Sequence, residues 1–177
     1  MTDQLSAKDW LDQGLRTLAE KGFTALKAEP LSKAMGVSRG SFYWHFADIS
    51  AFHAALLQHW REIATEQIIA TLESGSSKGE RLPLLLHGVF TAKLSLENAV
   101  RTWATLNPEA RSAVQAIDRR RLGYVESLLR EQGLSPKIAR GRAQILYWAF
   151  LGFAQSDKPV PRSGRLTILE ELLRIAR

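Results

Sequence analysis

Apolar residues recur along this chain at three- and four-residue spacing almost from end to end. That spacing places them on one face of an α-helix. No run of strict alternation marks a half-buried strand, and no Asn-Gly or Asp-Gly pair marks a hairpin. Breakers cut the periodic sequence into helix lengths: Gly22, Gly36, the run 74–79, Asn107-Pro108, the stretch 133–136 and Lys158-Pro159-Val160-Pro161. No internal repeat of fixed period is visible, so a solenoid is not expected. The prediction is an all-α protein.

Composition removes several classes of function. The 177 residues contain no cysteine, which excludes disulfide scaffolds, thiolate metal sites and cysteine nucleophiles. A reducing, cytoplasmic setting fits. No stretch approaches the roughly 18 uninterrupted apolar residues of a membrane span, and the polar N-terminus does not read as a signal peptide. The four histidines form no metal motif, and no nucleotide loop or nucleophile elbow occurs. An enzyme is therefore not expected, nor a metal or other cofactor. The net charge of +6 suggests an anionic partner. Residues 1–50 nevertheless hold six basic and six acidic side chains, and the excess lies in the remainder, 18 against 12. Any nucleic-acid contact near the N-terminus must come from local placement of charge.

The first predicted helix covers residues 7–21, with Leu11, Leu15 and Leu18 on its buried face and Gly22 after its end. A short helix over 28–35 follows, with Pro30 in its first turn. Gly36 supplies a tight turn. The next segment, Val37-Ser38-Arg39-Gly40-Ser41-Phe42-Tyr43-Trp44-His45-Phe46, carries the chemistry. Ser38 is a suitable N-cap. Phe42 and Phe46 are four apart and share a face toward the first two helices. Arg39, Ser41, Tyr43, Trp44 and His45 remain outside. Two large aromatics and an imidazole in water make sense against a polar, anionic partner. Arginine reads guanine or phosphate, and serine, tyrosine and histidine hydrogen-bond phosphate oxygens. Gly40 and Ser41 keep the helix start slim enough to approach base edges. A short helix, a glycine turn and a second helix make a helix-turn-helix, whose second helix enters the major groove.

The run from Leu31 to Phe46, with Leu18-Ala19-Glu20-Lys21-Gly22-Phe23 before it, resembles the DNA-binding signature of the tetracycline-repressor (TetR) family. The resemblance covers about residues 7–60; the rest agrees in helical layout. It implies that Arg39, Gly40 and Ser41 face bases, with Ser38 at the helix start, and that Tyr43, Trp44 and His45 lie at the sugar-phosphate backbone. Lys27 stands where the family often has a threonine near a phosphate, so a hydroxyl cap is lost. After the His-Phe pair, Ala47-Asp48-Ile49-Ser50 lacks the family's usual lysine, although Asp48 keeps the N-cap role. Fewer cations imply a shallower salt dependence of binding.

The resemblance divides the chain into a helix-turn-helix domain, 1–47, and a helical ligand-binding and dimerisation domain, 48–177. A long helix over 49–73, with Phe52, Leu56, Trp60 and Ile63 in a stripe, should join them. Further helices are predicted over 82–98, 99–106, 108–132, 136–155 and 165–177. The run from Ile145 to Phe153 is apolar on most sides. With the last helix it would form a two-fold interface through Ile145, Trp148, Phe150, Phe153, Leu169 and Leu173. Candidate ligand-lining residues are Trp60, His87, Phe90, Trp103, Tyr124 and Trp148. Each aromatic among them also fits a plain core position. Arg119-Arg120-Arg121 points three ways round a helix and reads as a salt-bridged, solvated face. The implied function is a homodimeric regulator on a palindromic operator of double-stranded DNA, repressing until a small molecule of unknown identity releases it. A DNA-binding dimer without an inducer, or an activator, remains the alternative.

Overall fold

The computed structural model describes residues 5–156 and 160–176, with the side chain of Arg162 left aside. Among these residues the regular structure is helical: α1 (Ala7–Lys21), α2 (Ala28–Ala34), α3 (Arg39–Tyr43), α4 (Ile49–Arg61), α5 (Gln67–Gly75), α6 (Lys78–Thr91), α7 (Ser95–Leu106), α8 (Pro108–Glu131), α9 (Pro136–Gln155) and α10 (Arg162–Ile175). The chain forms two compact units. One holds residues up to 64 together with 94–115; the other holds 65–93 and residues from 116 on. The expected breaker at Lys158-Pro159 and the expected end at Arg177 lie outside the described residues.

In the first unit, α1 starts at a reciprocal cap. The Ser6 amide donates to the Asp9 carboxylate at 2.8 Å, and the Asp9 amide donates to the Ser6 hydroxyl. The helix ends at Gly22, whose φ of 77° closes the last turn by an N–H bond to the Leu18 carbonyl. Its buried face is Trp10, Gly14, Leu15 and Leu18, packed on α4 and α7. Gly14 is the close-approach point. A Cβ there would lie 2.7 Å from the tip of the buried Phe52 ring and 2.9 Å from a Leu56 methyl. Gly14→Ala should therefore destabilise the chain by about 1 kcal/mol: about 2 kcal/mol of overpacking, partly offset by about 1 kcal/mol of helix propensity. Thermal unfolding of the two forms checks this, and an unchanged or raised midpoint would refute the close packing.

A single 3₁₀ turn, Phe23–Ala25, joins α1 to α2. Phe23 stacks on Trp103 of α7 with ring centres 4.7 Å apart, and His53 of α4 lies against both rings. His53 Nε2 also bonds the Leu26 carbonyl at 3.0 Å. These contacts tie α7 to the helix-turn-helix, so the packing unit is larger than residues 1–47. Arg111 closes the end of α7 by donating to the carbonyls of Ala104 and Thr105.

Two expectations about helices change. The helix from 49 runs on to Gly75, but residues 62–66 form a π turn between α4 and α5. The break expected after Asn98 falls at 92–94 instead. Asn98 lies inside α7, whose inward set is Glu97, Val100, Trp103 and Ala104. No glycine or proline marks the break; Thr91 donates its hydroxyl back to the His87 carbonyl, and Ala92 is extended.

In the second unit, α6 packs on α5, α9 and α10. Its core includes Leu82, Leu86, Phe90, Ile117, Leu128, Leu129 and Leu146. Gly133, with φ of 94°, turns α8 into α9. Polar bonds cross between helices. Tyr124 donates to Glu73 at 2.8 Å, Arg81 pairs with Glu73 at 2.8 Å, and Tyr147 donates to Asp118 at 2.6 Å. Arg120 pairs with Glu66, while Arg121 donates to the buried Thr65 hydroxyl and lies over the Phe150 ring. Within the arginine run Arg120 is salt-bridged, as expected, whereas Arg121 is half-buried rather than on a solvated face.

Candidate nucleic-acid interface

The interface is built on α2, the Gly36 turn and α3. Ser32 donates its hydroxyl to the Ala28 carbonyl at 2.7 Å, and the Val37 amide donates back to the Ser32 carbonyl at 3.1 Å. With Gly36 at φ 68°, these bonds set the turn. Phe42 then anchors α3. It is fully buried, with Trp10, Phe46 and Phe52 rings 5.3–5.4 Å from its own. The expected sharing of a buried face by Phe42 and Phe46 is seen.

Anchoring Phe42 turns its neighbours outward. Ser38, Arg39 and Gly40 are exposed, Ser41 and His45 are half-buried, and Lys27 is exposed at the start of α2. Tyr43 is 45% and Trp44 is 85% exposed. All eight residues expected to meet DNA therefore have accessible surface, and seven of them lie within 38–45. Ser38 occupies the N-cap position, but its side chain makes no capping bond. The Ser41 amide bonds the Ser38 carbonyl instead, at 3.0 Å. Lys27 likewise starts α2 with no side-chain cap, as the loss of a hydroxyl predicts. Asp48 does cap α4, accepting from the Ala51 amide at 2.7 Å. A Cβ on Gly40 would meet only the Ser38 hydroxyl, at 3.6 Å, so packing within the chain does not demand a glycine there.

Two further contacts lie in this unit. Asp12 of α1 accepts from Lys8 at 2.5 Å and meets His59 of α4 at 2.6 Å. The Lys8 hydrogen bond leads in holding the Asp12 carboxyl below its ordinary range; His59 adds to this, and partial burial opposes it. Arg39 and Tyr43 also meet, with Arg39 Nη2 3.2 Å from the tyrosine oxygen and its guanidinium 5.6 Å from the ring centre.

The candidate ligand residues are not gathered. Trp60 and Trp103 are buried in the first unit, Trp103 within the Phe23 stack. In the second unit Phe90 is buried against Phe153, and Tyr124 is bonded to Glu73. Burial, then the Glu73 carboxylate, pushes the Tyr124 phenol above its ordinary value. His87 is exposed and Trp148 is 62% exposed. The candidate dimer residues divide too. Ile145 and Trp148 are exposed, Phe153 and Leu173 are half-buried, and Phe150 and Leu169 are covered within the chain itself. Among the described residues no three of His, Asp and Glu gather as metal ligands, and no helix is long and apolar enough to cross a membrane.

Comparison with known proteins agrees with this geometry. Residues 11–56 match the family of bacterial regulatory proteins described as the tetR family. No curated protein matches the chain. Solved structures match over nearly all of it. A transcriptional regulator of the TetR/AcrR family from Thermobifida fusca is 17% identical, with 96% of this chain and 95% of that one covered and a TM-score of 0.65. A protein from Saccharomonospora viridis, solved in complex with choline, is 18% identical with 95% of each chain covered and a TM-score of 0.73. The reduced form of NemR from E. coli is 20% identical, with 96% and 93% covered and a TM-score of 0.72. The chain therefore has the fold of these solved regulators, with a helix-turn-helix formed by α2 and α3. Residues 11–56 carry the similarity to the tetR family, and the chain as a whole is similar in fold to solved TetR/AcrR-family structures.

Proposed function

We propose that this protein is a sequence-specific DNA-binding repressor that acts in the cytoplasm as a homodimer and is released from its operator by a small molecule. The outer face of α3 carries the reading. Arg39, Gly40 and Tyr43 stand in water on a helix whose only buried residue is Phe42, and Trp44 follows them just past its end. A helix built to be seen in this way suits the major groove. Arg39 with Gly40 and Ser41 would read bases; Lys27, Ser38, Tyr43, Trp44 and His45 would hold the backbone. By function the chain divides at residue 47, with DNA contacts before it and ligand binding and dimerisation after it.

The choline complex of the Saccharomonospora viridis protein supports a small ligand in this fold. In the second unit Phe90 and Tyr124 are the candidates to line its site, being buried aromatics on different helices. The dimer would form through the exposed face of α9, with Ile145 and Trp148 at its centre.

Fluorescence anisotropy tests the proposal, using a labelled duplex from just upstream of the protein's own gene and a scrambled duplex at the same salt. The wild type should prefer the natural duplex by roughly a thousandfold. Arg39→Ala should lose about 1–3 kcal/mol of that preference. Indistinguishable binding by the wild type and Arg39→Ala would remove α3 from the groove.

A further inference from the structure

We infer that Tyr43 is a positioning residue for base readout: its hydroxyl accepts from Arg39 and holds the guanidinium in register for a guanine. The inference rests on the DNA-binding reading of α3. Arg39 opens α3 and Tyr43 closes it, four residues on, so both lie on one face of the helix. Arg39 Nη2 lies 3.2 Å from the Tyr43 oxygen, and its carbon lies 5.6 Å from the ring centre. The tyrosine ring is itself set edge-on to the buried Phe42, with centres 5.3 Å apart and planes at 84°. Order thus passes from the core to an arginine that is otherwise fully in water.

The donor count permits guanine recognition at the same time. A guanidinium has five N–H donors. Whichever Nη2 proton goes to Tyr43, one two-donor edge remains: Nη1 with Nη2, or Nε with Nη2. Either edge fits the O6 and N7 acceptors of guanine. The tyrosine keeps its own proton, because it serves Arg39 as an acceptor. That proton is available to a phosphate oxygen. One hydroxyl therefore couples a backbone contact to a base contact, and an arginine held in place loses less freedom on binding.

The test uses the full-length protein and the duplex that the wild type selects from a randomised pool. Each guanine is replaced in turn by 7-deazaguanine, which removes N7. At the guanine read by Arg39 the wild type should lose roughly tenfold to a hundredfold in affinity. Arg39→Ala should be indifferent to the replacement. Tyr43→Phe keeps the ring and removes the oxygen, and its penalty should fall to about threefold or less. The double variant should show no further change at that guanine. Both side chains are exposed, so unfolding midpoints should match the wild type. If Tyr43→Phe weakened binding by one common factor on every duplex and kept the full guanine penalty, positioning would be refuted and only a phosphate contact would remain. If neither variant changed affinity or preference, the DNA-binding reading of α3 would itself fail.

Discussion

Phe42→Ala should cost about 3–5 kcal/mol of stability and remove specific DNA binding with it. Phe42 is fully buried and its ring meets those of Trp10, Phe46 and Phe52. Truncation leaves a cavity that three stiff rings cannot fill. It also removes four aromatic pairs, the fourth with Tyr43, worth about 0.5–1.5 kcal/mol each beyond their area. Against a typical total of about 5–15 kcal/mol, the loss is large enough to melt a small unit near working temperature. Helix α3 has only five residues and no side-chain cap, so it has little stability of its own. Denaturant unfolding and operator binding at several temperatures measure the two effects. Phe42→Leu should recover most of both. A Phe42→Ala protein with wild-type stability would mean that α3 is held by something other than this ring cluster.

Ile145→Glu together with Trp148→Glu should turn the proposed dimer into a monomer while leaving the fold of each chain intact. On α9 the exposed residues Ile138, Gly141, Ile145, Trp148 and Gly152 fall at i, i+3, i+7, i+10 and i+14. That is one continuous stripe along the helix. The added Cβ of either glycine would meet nothing within 4 Å, so a partner backbone could come close. Two carboxylates in such a seam would be buried without partners, at several kcal/mol each. A monomer engages one half-site, and its operator affinity should fall by roughly a hundredfold or more. Sedimentation velocity reads the mass, and anisotropy reads the affinity. Leu169→Ala supplies the contrast: Leu169 is buried in its own chain, so it should lower the unfolding midpoint without changing the mass. A double variant that still sedimented as a dimer would place the interface on another face.

Much of the architecture is legible wherever the local chemistry is strong. Gly22 and Gly133 sit at positive φ where helices end, and the α9 bounds follow from Ser135-Pro136 at the start. The helix-turn-helix is legible because its glycine turn, its pair of phenylalanines and its outward polar residues lie within sixteen consecutive positions. The break at 92–94 is not, because no glycine or proline stands there to mark it. The bond between Asp12 and His59 joins residues 47 apart in sequence, and the Phe23–Trp103 stack joins residues farther apart still. Such pairs exist only once the helices have met. The aromatics named as ligand candidates show the same limit. Helical spacing says that Trp103 faces inward, but not whether a ligand or Phe23 awaits it. Phe150 and Leu169 belong to stripes broad enough to serve two faces, and their own chain covers them.

The five tryptophans divide sharply by environment. Trp10, Trp60 and Trp103 are at most 1% exposed, whereas Trp44 and Trp148 stand largely in water. Indole emission shifts to the red in water, and solvent-borne quenchers reach only exposed rings. The protein therefore carries an optical reporter at the C-terminal end of α3 and another on the outer face of α9, over a shielded background from the interior. Replacing either exposed tryptophan by phenylalanine leaves the other as the one solvent-exposed indole over that shielded background. The proposed DNA contact at α3 and the proposed pairing at α9 would then each be read in its own variant, as a blue shift and lost quenching of one exposed ring, with no label attached.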